Sequence, residues 1–236
     1  MTGVPPEGGS AAAGGLADRL ARVRDGVADA AEAAGRPADE ITTIVVTKFH
    51  PASLVAELAS LGVTDVGENR HQEAQAKAAE LERLGWSALR WHFVGQLQSK
   101  KARQARRYAS AIHSIDRASL VDALRSDETS VDAFVQINLT DDPDRGGVAP
   151  DAAEALVERV LATPGLRLRG LMAVAPIGVP ARPEFARVRE LSERVRRLAP
   201  DARDLSMGMS HDYRDAILEG ATHLRIGTAI TGNRPA

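Results

Sequence analysis

The chain has 236 residues, 44% hydrophobic and 26% charged, enough for one large domain with its own core. Lysine plus arginine total 30 and aspartate plus glutamate 32, a formal charge of −2, so no basic surplus draws nucleic acid or an anionic membrane; without cysteine there are no disulfides, cysteine–zinc sites or thiol catalysis. No apolar run approaches the roughly 20 residues of a membrane span, and no secretory signal is visible, so a cytoplasmic protein is expected.

Residues 1–15 are rich in Gly, Pro, Ala and Ser and read as a flexible tail. Leu16, Leu20, Val23, Val27 and Ala31 recur at helical spacing up to a stop at Gly35, so an extra helix precedes the first strand. A unit of strand, polar turn and helix then repeats. Strand Ile41–Thr47 leads to helix Pro51–Ser60, and strand Thr64–Val66 to helix Gln72–Leu84. Strand Arg90–Val94 precedes a basic helix over Ser99–Tyr108, and strand Ala111–Ser114 a helix over Ala118–Leu124. Strand Val131–Asn138, the long polar turn Asp141–Gly147 and helix Asp151–Leu161 follow. The last units are Leu166–Met172 with Pro183–Leu198, Asp204–Ser206 with Tyr213–Leu218, and Thr222–Ile226 ending in Gly227-Thr228-Ala229-Ile230-Thr231-Gly232. Strands alternating with helices imply a parallel sheet. About eight units predict a single closed (β/α)8 barrel over residues 16–236, with an open doubly wound sheet as the competitor.

In a barrel, chemistry collects where the strands end at their C-terminal side. Lys48 stands there after the first strand, and alternation places it on the face of Ile44 and Val46. An amine on an apolar face is driven towards its neutral, nucleophilic form, which captures aldehydes as Schiff bases; the plainer reading is a lysine snorkelling outward. The turns after strands seven and eight are the usual phosphate site of this fold. Here they read Ser206-Met207-Gly208-Met209-Ser210 and Gly227-Thr228-Ala229. Each opens towards a helix start, where free N–H groups favour a phosphate. If Leu224 and Ile226 face the helices, His223 and Arg225 face the interior. Arg225 then meets either a core carboxylate such as Asp204 or Glu68, or a ring nitrogen of a cofactor. An imine-forming lysine, a phosphate cup and an arginine between them suit pyridoxal 5′-phosphate (PLP). An arginine on the pyridine nitrogen keeps it unprotonated and weakens the ring as an electron sink, which leaves proton transfer or mere holding.

These motifs, with Val46-Thr47-Lys48-Phe49-His50-Pro51, Gly67-Glu68-Asn69, Trp91-His92-Phe93-Val94-Gly95-Gln96-Leu97-Gln98, Gly170-Leu171-Met172 and Arg225-Ile226-Gly227-Thr228-Ala229-Ile230, resemble the pyridoxal phosphate homeostasis protein family, also called YggS-like or proline synthase co-transcribed proteins. The resemblance implies a barrel like the N-terminal domain of alanine racemase without its second domain. It implies that Lys48 carries the cofactor, that Arg225 meets the pyridine nitrogen, and that Ser210, Gly227 and Thr228 hold the phosphate with Ser206 and Met207 close by. Asn69 is expected near the cofactor. It further implies a monomer that holds PLP for vitamin B6 balance, without established turnover, and PLP-dependent apoenzymes as partners. Lys100 beside Lys101, and Arg70-His71-Gln72-Glu73, depart from the family pattern and make that side of the mouth more basic.

The alternative is an amino-acid racemase. It needs a second proton donor opposite Lys48, and neither Tyr108 nor Tyr213 occupies an obvious position. A third reading, a barrel for another phosphorylated metabolite, predicts no visible absorption band. Lys100, Lys101, Arg103, Arg106 and Arg107 read as a solvated helix face, His92 as a satisfied core residue, and Met172, Met207 and Met209 as packing. No metal is expected.

Overall fold

The computed structural model describes residues 14–142 and 144–233. Most of the expected tail lies outside the described residues. Of the two tail residues inside, Gly15 donates its N–H to the Asp18 carboxylate (3.0 Å) at the start of α1 (Leu16–Ala33).

Eight parallel strands close in sequence order: β1 (Thr42–Val46), β2 (Asp65–Glu68), β3 (Arg90–Phe93), β4 (Ala109–Ile115), β5 (Val131–Ile137), β6 (Leu166–Ala173), β7 (Asp204–Ser206) and β8 (His223–Ile226). The last strand pairs with the first, Ile44 opposite Arg225 and Val45 opposite Ile226, which decides for the barrel over the open sheet. Around it lie α2 (Ala52–Ser60), α3 (His71–Arg83), α4 (Ala102–Ala105), α5 (Ala118–Ala123), α6 (Ala153–Leu161), α7 (Ala181–Leu198), α8 (Tyr213–Leu218) and α9 (Thr228–Thr231).

Alternation sorts the strand residues into two layers. Val45, Val66, Ile112, Val135, Leu171, Leu205, Leu224 and Ile226 face outward and pack under the helices, each worth about 1.5–3 kcal/mol of apolar burial. Inside lie Ile44, Val46, Ala111, Phe134 and Met172, together with buried Asp65, His92, His113, Ser206, His223 and Arg225. Gly170 lets β6 pass close to β7: a Cβ there would overlap the Asp204 carbonyl oxygen. Nearby, the register of β5 against β6 shifts between Ala133 and Phe134.

The basic segment is not the single helix expected. It is a 3-10 turn (Ser99–Lys101) followed by the one-turn α4, and β4 begins at Ala109. Nor is its whole charged side solvated. Arg106 donates to the carbonyls of Leu124 (2.8 Å), Gly165 (2.9 Å) and Thr129, tying this segment to the turns before β5 and β6.

Candidate functional site

The mouth is built first by the exit of β1. Thr47 N–H bonds Gly67 O (2.9 Å) and continues the ladder with β2. The chain then turns through Lys48, and Phe49 takes φ +69°, a left-handed conformation uncommon for an aromatic residue. Such a residue costs of order 1 kcal/mol and marks a turn held by its surroundings. Lys48 is exposed, which corrects the expectation of an amine shielded on the Ile44–Val46 face. The strand ends before Lys48, so alternation no longer governs its side chain. Its Nζ lies 5.9 Å from the centre of the Phe49 ring, and the Arg70 guanidinium lies 5.1 Å from the same ring.

The shielded lysine here is another one. Lys77, on α3, donates to Thr47 O (2.9 Å) and to Glu68 Oε1 (2.6 Å), and Thr47 Oγ1 donates to the same oxygen (2.7 Å). Burial pushes the Glu68 carboxyl up, although Lys77 and Thr47 pull it down. Its Oε2 is buried without a partner among the described residues. This group backs the backbone just before Lys48.

Across the barrel the two glycine-containing turns meet. Ser210 Oγ accepts from Thr228 Oγ1 and from Ala229 N–H, both at 3.3 Å. Gly227 caps α9, whose first N–H groups have no acceptor within the helix. A Cβ on Gly227 would sit 3.5 Å from Val46 O and 3.6 Å from Val46 Cβ, ordinary contacts. Packing therefore does not demand glycine at 227; the bare backbone leaves a cradle open beside the end of β1. Gly208 differs: its φ is +92° and a Cβ would lie 2.6 Å from Ala216 Cβ, so the turn itself requires it. Ser210, Gly227 and Thr228 thus come together. Ser206 and Met207 do not join them. Ser206 points inside the barrel, while Met207 packs in the outer core with its N–H on His223 O (3.1 Å).

Arg225 lies inside, as alternation predicts. Its Nη1 donates to Ser206 Oγ (2.8 Å) and its Nη2 to Ala173 O (2.9 Å). Burial lowers its pKa to about 10, with the Asp212 charge opposing, so it stays a cation at neutral pH. Neither carboxylate considered for it is its partner: Asp204 pairs with Arg169 (2.8 Å) and Glu68 with Lys77 (2.6 Å). No ion pair is found for Arg225 among the described residues. Asn69, just after β2, has a buried Oδ1 with no partner among the described residues, and the close approach of Gly95 fixes its backbone.

His92 faces the interior and meets His113 and Asp65, two residues the sequence analysis did not single out. The one available signal was a histidine two places after Ala111 in an apolar strand. Of the tyrosines, Tyr108 packs outside the barrel on His71 and Tyr213 lies against Gly26 of α1.

The residues gathered here fit PLP: a hydroxyl and N–H cup for an anion, a bare glycine beside it, an arginine without a carboxylate, an orphaned amide oxygen and an exposed amine. Residues 19–235 match the family model described as alanine racemase, N-terminal domain. The chain is 41% identical over 241 residues to the pyridoxal phosphate homeostasis protein of Mycobacterium bovis, covering 93% of each. It is 38% identical over 233 residues to that of Escherichia coli, covering 93% of this chain and 97% of the other. Among solved structures it resembles PipY of Synechococcus elongatus with PLP bound, at TM-score 0.80 and 35% identity, covering 92% of this chain and 100% of that one. Alanine racemase from Corynebacterium glutamicum shares the fold at TM-score 0.71 and 16% identity, with 93% of this chain covering 62% of that one.

Proposed function

The chain belongs to the pyridoxal phosphate homeostasis protein family, with the alanine racemase N-terminal domain, and from that premise we propose that it binds PLP and holds it for intracellular vitamin B6 balance. The observation that carries this reading is the meeting of Ser210, Gly227 and Thr228 beside the end of β1, with Arg225 buried nearby without a carboxylate. Ser210 and the N–H groups of Gly227 and Thr228 bind the phosphate. Arg225 donates to the pyridine nitrogen, and Asn69 accepts a hydrogen bond at the mouth. Lys48 offers its amine to the aldehyde; its exposure gives a free cofactor direct access. When bound, PLP supplies an electrophilic aldehyde conjugated to an electron-withdrawing ring. A guanidinium keeps the ring nitrogen unprotonated, which suits holding better than turnover. The protein acts in the cytoplasm as a single chain and hands PLP to apoenzymes.

Racemisation stands second. Both tyrosines lie outside the barrel interior. The test is an absorbance spectrum of the purified protein, followed by borohydride reduction and peptide mapping. Reduction is expected to fix the cofactor on Lys48. Lys48→Ala is expected to lose the band near the visible edge and all fixed cofactor, with stability within about 0.5 kcal/mol because the residue is exposed. Cofactor still fixed in that variant refutes the assignment of Lys48. Turnover of alanine, serine or glutamate at about 1 per second or more would put the racemase first.

A further inference from the structure

The barrel interior holds a chain of hydrogen bonds that cofactor binding alone leaves unexplained. It starts at Arg225 Nη1, which lies 2.8 Å from Ser206 Oγ. Ser206 Oγ lies 2.8 Å from His113 Nδ1, His113 Nε2 lies 2.9 Å from His92 Nδ1, and His92 Nε2 lies 2.8 Å from Asp65 Oδ1. The chain crosses from β8 through β7, β4 and β3 to β2, and all five residues are buried.

Its two ends set its direction. Arg225 can only donate. Asp65 is an ionised acceptor: burial pushes its carboxyl up, but hydrogen bonds from His92 and Thr64 and the charge of Arg90 bring it below its ordinary value. Ser206 therefore accepts from Arg225 and gives its own hydrogen to His113 Nδ1. His113 then carries its proton on Nε2 and donates to His92 Nδ1, and His92 donates from Nε2 to Asp65. With both imidazoles neutral, every link has one donor and one acceptor. Protonating His113 would set its Nδ1–H against the Ser206 hydroxyl hydrogen. Burial, reinforced by the charge of Arg225, holds His113 well below its ordinary pKa. The His113 ring is also fixed mechanically: it stacks on Phe134 at 4.3 Å and 12°, and His223 meets the other side of this cluster edge-on at 5.1 Å from Phe134. His223 bonds Thr222 Oγ1 and stands outside the chain.

We propose that His113, backed by His92 and Asp65, is a positioning residue for the cofactor: by taking the Ser206 hydrogen it turns the Ser206 lone pair to Arg225 and pins the guanidinium that faces the pyridine nitrogen. A hydroxyl left free to rotate could turn its hydrogen towards the cation and release one side of it. With Ser206 and Ala173 O both accepting, one edge of the guanidinium is locked and the rest is presented to the ring. This inference rests on the PLP reading above and names further residues of the same site.

Two variants of the full chain separate positioning from packing. His113→Phe keeps the stacking on Phe134 and removes both hydrogen bonds. His113→Gln can restore both, with Oε1 accepting from Ser206 and the amide N–H donating to His92. With PLP as the probe, His113→Phe is expected to raise Kd about tenfold and to shift the absorption maximum of bound PLP, the scale of one hydrogen bond to a charged group. His113→Gln is expected to stay within about threefold and to keep the maximum. If His113→Phe fails to fold, Ser206→Ala breaks the chain one link nearer Arg225 and is expected to give the same shift. Wild-type affinity and spectrum in His113→Phe, or equal damage in His113→Gln, would overturn the proposal. In the cofactor-free protein, nitrogen NMR is expected to find both imidazoles protonated on Nε2 alone; Nδ1-protonated forms would also overturn it. A wild-type protein without any PLP band defeats the binding reading itself, a result distinct from these.

Discussion

At the scale of single residues, the shielded lysine near the end of β1 is not the one that alternation suggests. Strand spacing after Ile44 and Val46 leads one to expect a shielded amine at Lys48, yet it stands exposed. Lys77 is the buried cation, and no local pattern reveals it, because its partners Glu68 and Thr47 come from two other elements. Lys77→Met should remove the pairing cation from a buried carboxylate and the donor from Thr47 O, costing about 3 kcal/mol in urea unfolding. Glu68→Gln should cost less, since an amide oxygen there can still accept from Lys77 and Thr47. A Lys77→Met protein of wild-type stability would contradict this account. Arg225 was legible from alternation alone, but its acceptors were not. Ser206 and Ala173 lie 19 and 52 residues away along the chain, and only barrel closure brings them together.

Among the elements, strand and helix order was legible because apolar periodicity changes from two to about 3.6 at each turn. The shortness of α4 was not, since four residues show no periodicity. The shift in β5–β6 register was equally hidden. It accompanies the close passage of β6 and β7 at Gly170, where φ is +154° and no side chain fits against Asp204 O. Gly170→Ala is expected to lose about 3 kcal/mol in chemical denaturation, through both overlap and backbone strain. A loss under about 0.5 kcal/mol would show that β6 can move away freely. The extra helix α1, expected from its spacing, acquires a role in the fold. It packs on α8 and α9, and Arg19 Nε donates to Ile230 O (2.6 Å), so it braces the two helices that follow the glycine-containing turns.

For the whole molecule, the buried histidines set the dependence of stability on pH. Burial lowers His113 well below 6.5 and lowers His223 to about 4, the latter against the pull of Asp204. In the unfolded chain both titrate near 6.5, so on acidification the unfolded state takes protons that the folded state refuses. Stability from these groups is complete above about pH 6.5 and falls as pH drops towards 4, by up to about 1.4 kcal/mol per pH unit for each histidine. Asp65, lowered in the fold, adds a loss further down, through the carboxylate range. Unfolding midpoints measured from pH 8 to pH 4 should decline in that window, and less steeply in His113→Phe; a flat profile would contradict neutral burial of the imidazoles.

The hydrogen-bonded line through the barrel also limits how this sequence can drift. Exchange Asp65, His92 or His113 singly for an apolar residue, and a neighbour keeps a buried donor or acceptor with nothing to face. Exchange them together, and no such orphan arises among the three. The trio should therefore be inherited as a block, and lineages that have abandoned one member should have abandoned its companions as well.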